Sequence, residues 1–111
     1  MDVTHLTQLA DELLTTAHAS RSGRAAQTLH GDSRHRLRQT VIAMTAGAQL
    51  AEHQGPGEAT LFVITGRVTL TAGDRSVVGT TGDLLTVPVD RHELSAQHDS
   101  AVVLTVATAG R

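Results

Sequence analysis

Arginine and histidine side chains are the main candidates for chemistry in this chain. Arg34, Arg36 and Arg38 alternate along one segment, and alternate residues of a β-strand lie on the same face. Guanidinium groups bind carboxylates and phosphates in a forked geometry, so this stripe is a candidate anion site. The same pattern is also typical of a solvated strand face, or of a charged edge that resists aggregation. Both interpretations stay open.

Several common site patterns are missing from the sequence. The chain contains seven histidines and no cysteine, which excludes disulfides and thiolate metal sites. No serine stands in the G-x-S-x-G pattern of a nucleophile. The segment Gly55-Pro56-Gly57 lacks the Lys and the Ser or Thr of a phosphate-binding P-loop. The sequence therefore indicates neither covalent catalysis nor a nucleotide site.

Composition restricts the partners and the location. The formal net charge is −2, all nine basic residues are arginine, and Phe62 is the sole aromatic residue. Because single-stranded nucleic acids stack on aromatic side chains, we expect no nucleic-acid partner. The N-terminus has no basic stretch before an apolar core, and no apolar run approaches the ~20 residues that span a bilayer. We expect a cytoplasmic protein with no membrane partner.

Hydrophobic periodicity divides the chain into a helical segment, residues 1–22, and a β domain, residues 23–111. Leu6, Leu9 and Leu13 belong to an apolar stripe of helical spacing, and Thr4 is the predicted N-cap. Many short strands with frequent turns then favour a sandwich or barrel. The predicted strands are Arg24–His30, His35–Met44, Gln49–His53, Ala59–Thr65, Val68–Thr71, Ser76–Val78, Leu84–Val87, Glu93–Gln97 and Ala101–Ala107.

The strand that contains Leu61-Phe62-Val63-Ile64 is apolar on both faces. A strand with one face in water would alternate more clearly between apolar and polar residues. Its outer face is therefore expected to contact the N-terminal helix, a second sheet or another subunit. We expect a homodimer.

Glycine, proline and histidine spacings resemble the two motifs of the cupin family. The first motif, G(X)5HXH(X)3-4E(X)6G, matches Gly47, His53 and Gly66. The second, G(X)5PXG(X)2H, matches Gly82 and Pro88, with His92 one residue early. The resemblance implies an all-β fold, a single jelly-roll β-barrel of two antiparallel sheets with an N-terminal α-helix outside it.

The resemblance also implies a depleted metal site. His53 and His92 occupy histidine positions, whereas Gly55 and Ala59 stand where another histidine and the glutamate are expected. A catalytic zinc normally has three protein ligands, and a non-haem iron has two histidines and a carboxylate. With two imidazoles alone, we favour the absence of a bound metal over a divalent Fe, Mn, Ni or Zn ion. Both alternatives stay open. The candidate third ligands are Glu58 (rotated inward by a bulge), His30, His35 and Gln39.

A pocket with apolar walls and two imidazoles suits a modest, mostly hydrophobic small organic molecule. Three functions follow: a binding or sensing protein, a metal-dependent oxygenase or isomerase, or a structural dimerisation module with a vestigial pocket. We favour the first, and the sequence does not decide whether the protein is an enzyme. The pocket residues expected from the resemblance are Gln39, His53, Ala59, Leu61, Val63, His92 and Leu94.

Overall fold

The computed structural model describes residues 1–53 and 57–108, with the backbone alone at positions 52 and 53. Within these residues the chain forms one helix and nine strands. Turn residues separate the strands, as the sequence predicts. The elements are α1 (Leu6–Ala19), β1 (Arg24–His30), β2 (Leu37–Met44), β3 (Gln49–His53), β4 (Gly57–Thr65), β5 (Arg67–Ala72), β6 (Arg75–Thr80), β7 (Leu84–Val87), β8 (His92–Ala96) and β9 (Ser100–Thr108).

The strands form two antiparallel sheets that pack face to face. The larger sheet has the order β1-β2-β9-β4-β7, and the smaller one has the order β3-β8-β5-β6. Their inner faces enclose a hydrophobic core, because alternate residues of each strand are apolar and point between the sheets. This arrangement confirms the expected jelly-roll β-barrel. The buried core residues are Met44, Ala48, Leu61, Val63, Val68, Leu70, Val87, Leu94, Ala96 and Val102.

Helix α1 covers part of the outer face of the larger sheet. Leu9 packs there against Val41 of β2 and Val103 of β9. The prediction of Thr4 as N-cap is wrong: His5 occupies that position and makes no side-chain capping hydrogen bond. Leu6, the first helical residue, packs against the cluster of Leu9, Val41 and Val103, so apolar packing rather than a polar cap holds the first turn. Among the described residues, no helix is long and apolar enough to cross a membrane.

Candidate functional site

His92 is a buried imidazole at the start of β8. Its exposed fraction is 6%. Along this strand His92, Leu94 and Ala96 are buried while the residues between them are half-buried. His92 therefore lies on the inner face with Leu94, at the barrel end where β7 leads into β8. We refer to this as the His92 end.

A hydrogen bond determines the tautomer of His92. The Nδ1 atom lies 2.8 Å from the backbone carbonyl oxygen of Asp90. A carbonyl can only accept, so Nδ1 must carry the proton. In the neutral imidazole, Nε2 is then the atom with a lone pair, which can accept a hydrogen bond or coordinate a metal ion. Sequence reasoning missed Asp90, because a backbone carbonyl leaves no signal in a motif.

The register pairs the backbone of His53 with that of His92 across β3 and β8. The ladder shifts register between Leu50 and His53, so β3 is irregular just before this pair. The two positions singled out by the cupin motifs are thus neighbours in the smaller sheet. The side chain of His53 lies outside the described residues.

Three further pocket candidates share the inner face of β4. Leu61 and Val63 are buried in the core cluster, and Ala59 packs against it from a half-buried position. Leu94 of β8 belongs to the same cluster. The structure therefore brings these residues together with His92, but the leucine and valine side chains fill the middle of the barrel.

One register row crosses the larger sheet at this end. Arg38 pairs with Val106, Val106 with Ala59, and Ala59 with Val87. Arg38, Thr40 and Ile42 are alternate residues of β2, and Ile42 packs against the core. The half-buried side chain of Arg38 therefore lies on the same inner face. We call these four residues the Ala59 row. The alternating arginines in the sequence pointed to Arg38 as a candidate site residue. Arg34 and Arg36 precede β2 and are exposed.

Gln39 and Glu58 are not brought to the His92 end. Gln39 lies on the outer face of β2 with Val41, and its Nε2 donates to Thr105 Oγ1 at 3.3 Å. Glu58 is exposed, and the ladder between β4 and β9 is regular from Gly57 to Val63, so no bulge rotates it inward. The alternation that points Ala59 inward points Glu58 outward.

His30 and His35 form an exposed pair at the turn between β1 and β2. Their ring centroids are 5.3 Å apart in an edge-to-face arrangement. His35 Nδ1 lies 2.8 Å from a carboxylate oxygen of Asp32. Among the residues whose side chains are described, these histidines do not join His92 in a group of three or more metal-ligating side chains.

The described donor set does not fit a metal ion on its own. Among the residues whose side chains are described, no group of three or more His, Cys, Asp or Glu could hold one. His92 contributes one imidazole nitrogen, whereas a catalytic zinc takes three protein ligands. A metal at this end would need position 53 and at least one further donor.

Comparison with known proteins assigns the family. A family model described as Cupin domain matches residues 40–108. The chain belongs to the cupin family. This match contains both motifs, which run from Gly47 to His92. A search of curated proteins finds no match to this cupin.

Solved structures with the same fold come from several bacteria. A conserved Streptococcus pyogenes protein of unknown function, SPY1581, has a TM-score of 0.74 at 22% identity, covering 83% of this chain and 80% of that one. A cupin superfamily protein from Desulfitobacterium hafniense has a TM-score of 0.70 at 15% identity, covering 77% of each chain. An RmlC-like cupin from Shewanella frigidimarina has a TM-score of 0.70 at 22% identity, covering 79% and 78%. At these identities the likeness concerns the fold alone.

Proposed function

We propose that this cupin binds a small, mostly apolar organic molecule at the His92 end of the barrel. The observation that carries the proposal is the burial of His92 among apolar inner-face residues. The Nδ1 hydrogen bond to Asp90 orients the ring and sets the tautomer, so the imidazole is a polar group of fixed orientation for a ligand hydroxyl.

The chemistry of the Ala59 row supports a ligand with an apolar body and one oxygen function. Ala59, Val87 and Val106 offer apolar contacts, and Arg38 adds one cation near the start of β2. Ligand sites are commonly apolar surfaces with a few polar groups that fix orientation. A heavily hydroxylated ligand would find few partners here.

Phenol and toluene test this proposal, because they differ by one hydroxyl group. We expect saturable shifts of Leu94 and Ala59 resonances with both probes, and tighter binding of phenol to the natural protein. The preference should disappear in His92→Leu and persist in the control His98→Leu, since His98 is exposed. Absence of binding, equal binding, or a preference that survives in His92→Leu would overturn the proposal.

A metal-dependent enzyme is the second candidate, and the pairing of His53 with His92 favours it. Metal-ligating histidines usually donate their other ring N–H to a carbonyl or carboxylate, as His92 does to Asp90. Elemental analysis after anaerobic incubation with Fe(II), Mn(II), Ni(II) or Zn(II) distinguishes the candidates. About one bound ion per chain, lost in His92→Leu but kept in His98→Leu, would support the enzyme. Absence of any bound ion would eliminate it.

We also propose that the protein is a homodimer. The outer face of the larger sheet presents the register partners Phe62 and Leu84, which are 37% and 65% exposed. The adjacent register row, from Gln39 through Thr105 and Thr60 to Thr86, carries no charge. In a two-fold dimer each patch meets a copy of itself, and an uncharged patch does so without like-charge repulsion.

Light scattering after gel filtration tests the dimer. The natural protein should elute at twice the chain mass, and Phe62→Glu should yield monomers because it places like charges across the two-fold axis. Val78→Glu is the control, since Val78 is 47% exposed on a strand of the smaller sheet. A monomeric natural protein, or a dimer unaffected by Phe62→Glu, would contradict the assignment. A dimer that binds neither phenol nor metal would support the structural module instead.

A further inference from the structure

A concavity lies between the two sheets at the seam where edge strands β6 and β7 meet. Its volume is about 280 Å³. Leu70 and Ala72 of β5 are buried at 3% and 7% exposure, and they lie on the inner face of the smaller sheet. The rest of the surface comes from both edges. The lining residues include Leu70, Ala72, Arg75, Val77, Thr86 and Pro88. We call this the seam groove.

The seam is closed at one end and open at the other. At Gly79, a Cβ atom would lie only 3.0 Å from a methyl group of Leu85, so β6 and β7 touch there. Toward the start of β6 the strands separate, and Val77 is 51% exposed. From Gly79 back to Arg75 is four residues, about 13 Å of strand. The groove is therefore long enough for a short aliphatic chain.

A guanidinium group stands at the open end. Arg75 lines the groove, and its Nη2 lies 3.3 Å from Oδ2 of Asp90. The side chains of Arg75 and Asp90 are 69% and 67% exposed. Ion pairs at such exposure are weak, because water screens them. A ligand carboxylate could replace that of Asp90 at low cost.

We propose that the seam groove binds a small aliphatic monocarboxylate, with its chain on Leu70, Ala72 and Val77 and its carboxylate on Arg75. The apolar floor alone would accept any short hydrocarbon. The guanidinium of Arg75 selects a negative headgroup, because such a group binds a carboxylate through two parallel hydrogen bonds. Asp90 acts as an internal competitor for the same guanidinium.

This competition makes opposite predictions for the two partners of the ion pair. Arg75→Gln removes the cation, and binding of the carboxylate should weaken. Asp90→Asn removes the competing carboxylate, and binding should strengthen. The backbone carbonyl that holds His92 is retained in Asp90→Asn. A purely structural role of the ion pair predicts instead that both variants weaken binding.

Hexanoate is the probe, with 1-hexanol and hexylamine as matched compounds of the same chain length. Amide shifts of Ala72 and Val77 in two-dimensional NMR report binding. We expect saturable binding with hexanoate tightest, at least about tenfold weaker in Arg75→Gln and about threefold tighter in Asp90→Asn. Arg38→Gln, which removes a cation at the His92 end, should leave hexanoate binding unchanged.

Several results would overturn the proposal. They are absence of saturable binding, equal binding of 1-hexanol, loss of hexanoate binding in Arg38→Gln, or weakening in Asp90→Asn. The proposal does not depend on a ligand at the His92 end, and His92→Leu separates the two sites. If His92→Leu loses the preference for phenol but still binds hexanoate, both proposed sites are supported. If His92→Leu no longer binds hexanoate, only the seam-groove proposal is overturned.

Discussion

The Nε2 atom of His18 lies 2.6 Å from Oδ2 of Asp99, although 81 residues separate the two in sequence. His18 is in the last turn of α1, and Asp99 is in the turn between β8 and β9. The other oxygen of Asp99 accepts the backbone N–H of Ala46 at 2.9 Å. One carboxylate therefore joins the end of the helix to two turns of the barrel.

Asp99 should contribute stability that depends on pH. The N–H of Ala46, followed by His18, holds the pKa of the Asp99 carboxyl below its ordinary 3.8. A group whose folded pKa is lowered stabilises the protein above its unfolded pKa, and that contribution is lost as pH falls through the folded pKa. Asp99→Asn should lower the free energy of unfolding by about 1 kcal/mol at pH 7.

Urea denaturation at pH 7 and an acid titration measure this effect. The control is Asp11→Asn, which removes the same charge from the exposed face of α1. We expect Asp99→Asn alone to lower the free energy of unfolding at pH 7. Its difference in stability from the natural protein should shrink below pH 4. Identical curves for the two variants would refute the role of Asp99.

Asp32, in the turn between β1 and β2, should be an unusually acidic carboxyl. The backbone N–H of Arg34 donates to it at 2.8 Å, and the side chains of Arg34 and His35 add further hydrogen bonds. Together they lower the pKa of Asp32 to about 2. Carbon-detected NMR titration should find this pKa in the natural protein. In Arg34→Ala the pKa of Asp32 should rise, but not fully to 3.8, because the backbone hydrogen bond from residue 34 remains. A midpoint near 3.8 in the natural protein would contradict the hydrogen-bonded geometry.

Gly66 should tolerate no side chain. Its φ is +106°, and an added Cβ would overlap Ser100 Oγ and the carbonyl oxygen of Asp99. Gly66→Ala should therefore cost more than the about 1–2 kcal/mol of a left-handed residue alone. Gly73→Ala is the control, because Gly73 also has a positive φ, +61°, but nothing lies within 4 Å of its added Cβ. Equal losses of stability in thermal and urea unfolding would disprove the steric argument.

Val63 should be the more sensitive of two strand valines. It has 0% exposure in the barrel core, whereas Val78 is 47% exposed. Val63→Ala removes buried methyl groups and leaves a cavity, so the free energy of unfolding should fall by about 2–3 kcal/mol. Val78→Ala should change it by no more than about 0.5 kcal/mol. Equal urea midpoints for the two variants would mean that the β4 side of the barrel is loosely packed.

The strand positions were largely predictable from the sequence, because turn residues and alternation are local signals. Strands β1, β3 and β7 have the predicted ends. Strand β4 is longer than predicted and begins at Gly57, which pairs with Thr108 of β9. Glycine has low strand propensity, so such an extension depends on a partner strand far away in sequence.

The candidate site was predictable in part. The motif spacing singled out His92, and the structure places it on the inner face with Leu94 and Ala59. The spacing could not show that Asp90 accepts from Nδ1 of His92, since any residue type supplies a carbonyl. The seam groove has no sequence motif either, because its walls come from three strands. Its cation, Arg75, pairs with Asp90 in the turn between β7 and β8.

The sequence by itself determined the strand and turn order, and its two spaced motifs identified the cupin fold. It did not determine which face of β2 lines the barrel, because both faces carry apolar residues. Only the tertiary structure decided this: α1 packs on Val41, so Ile42 and Met44 face the core and Gln39 lies outside. Period-two alternation separates two faces of a strand, but only the neighbouring elements determine which face is buried.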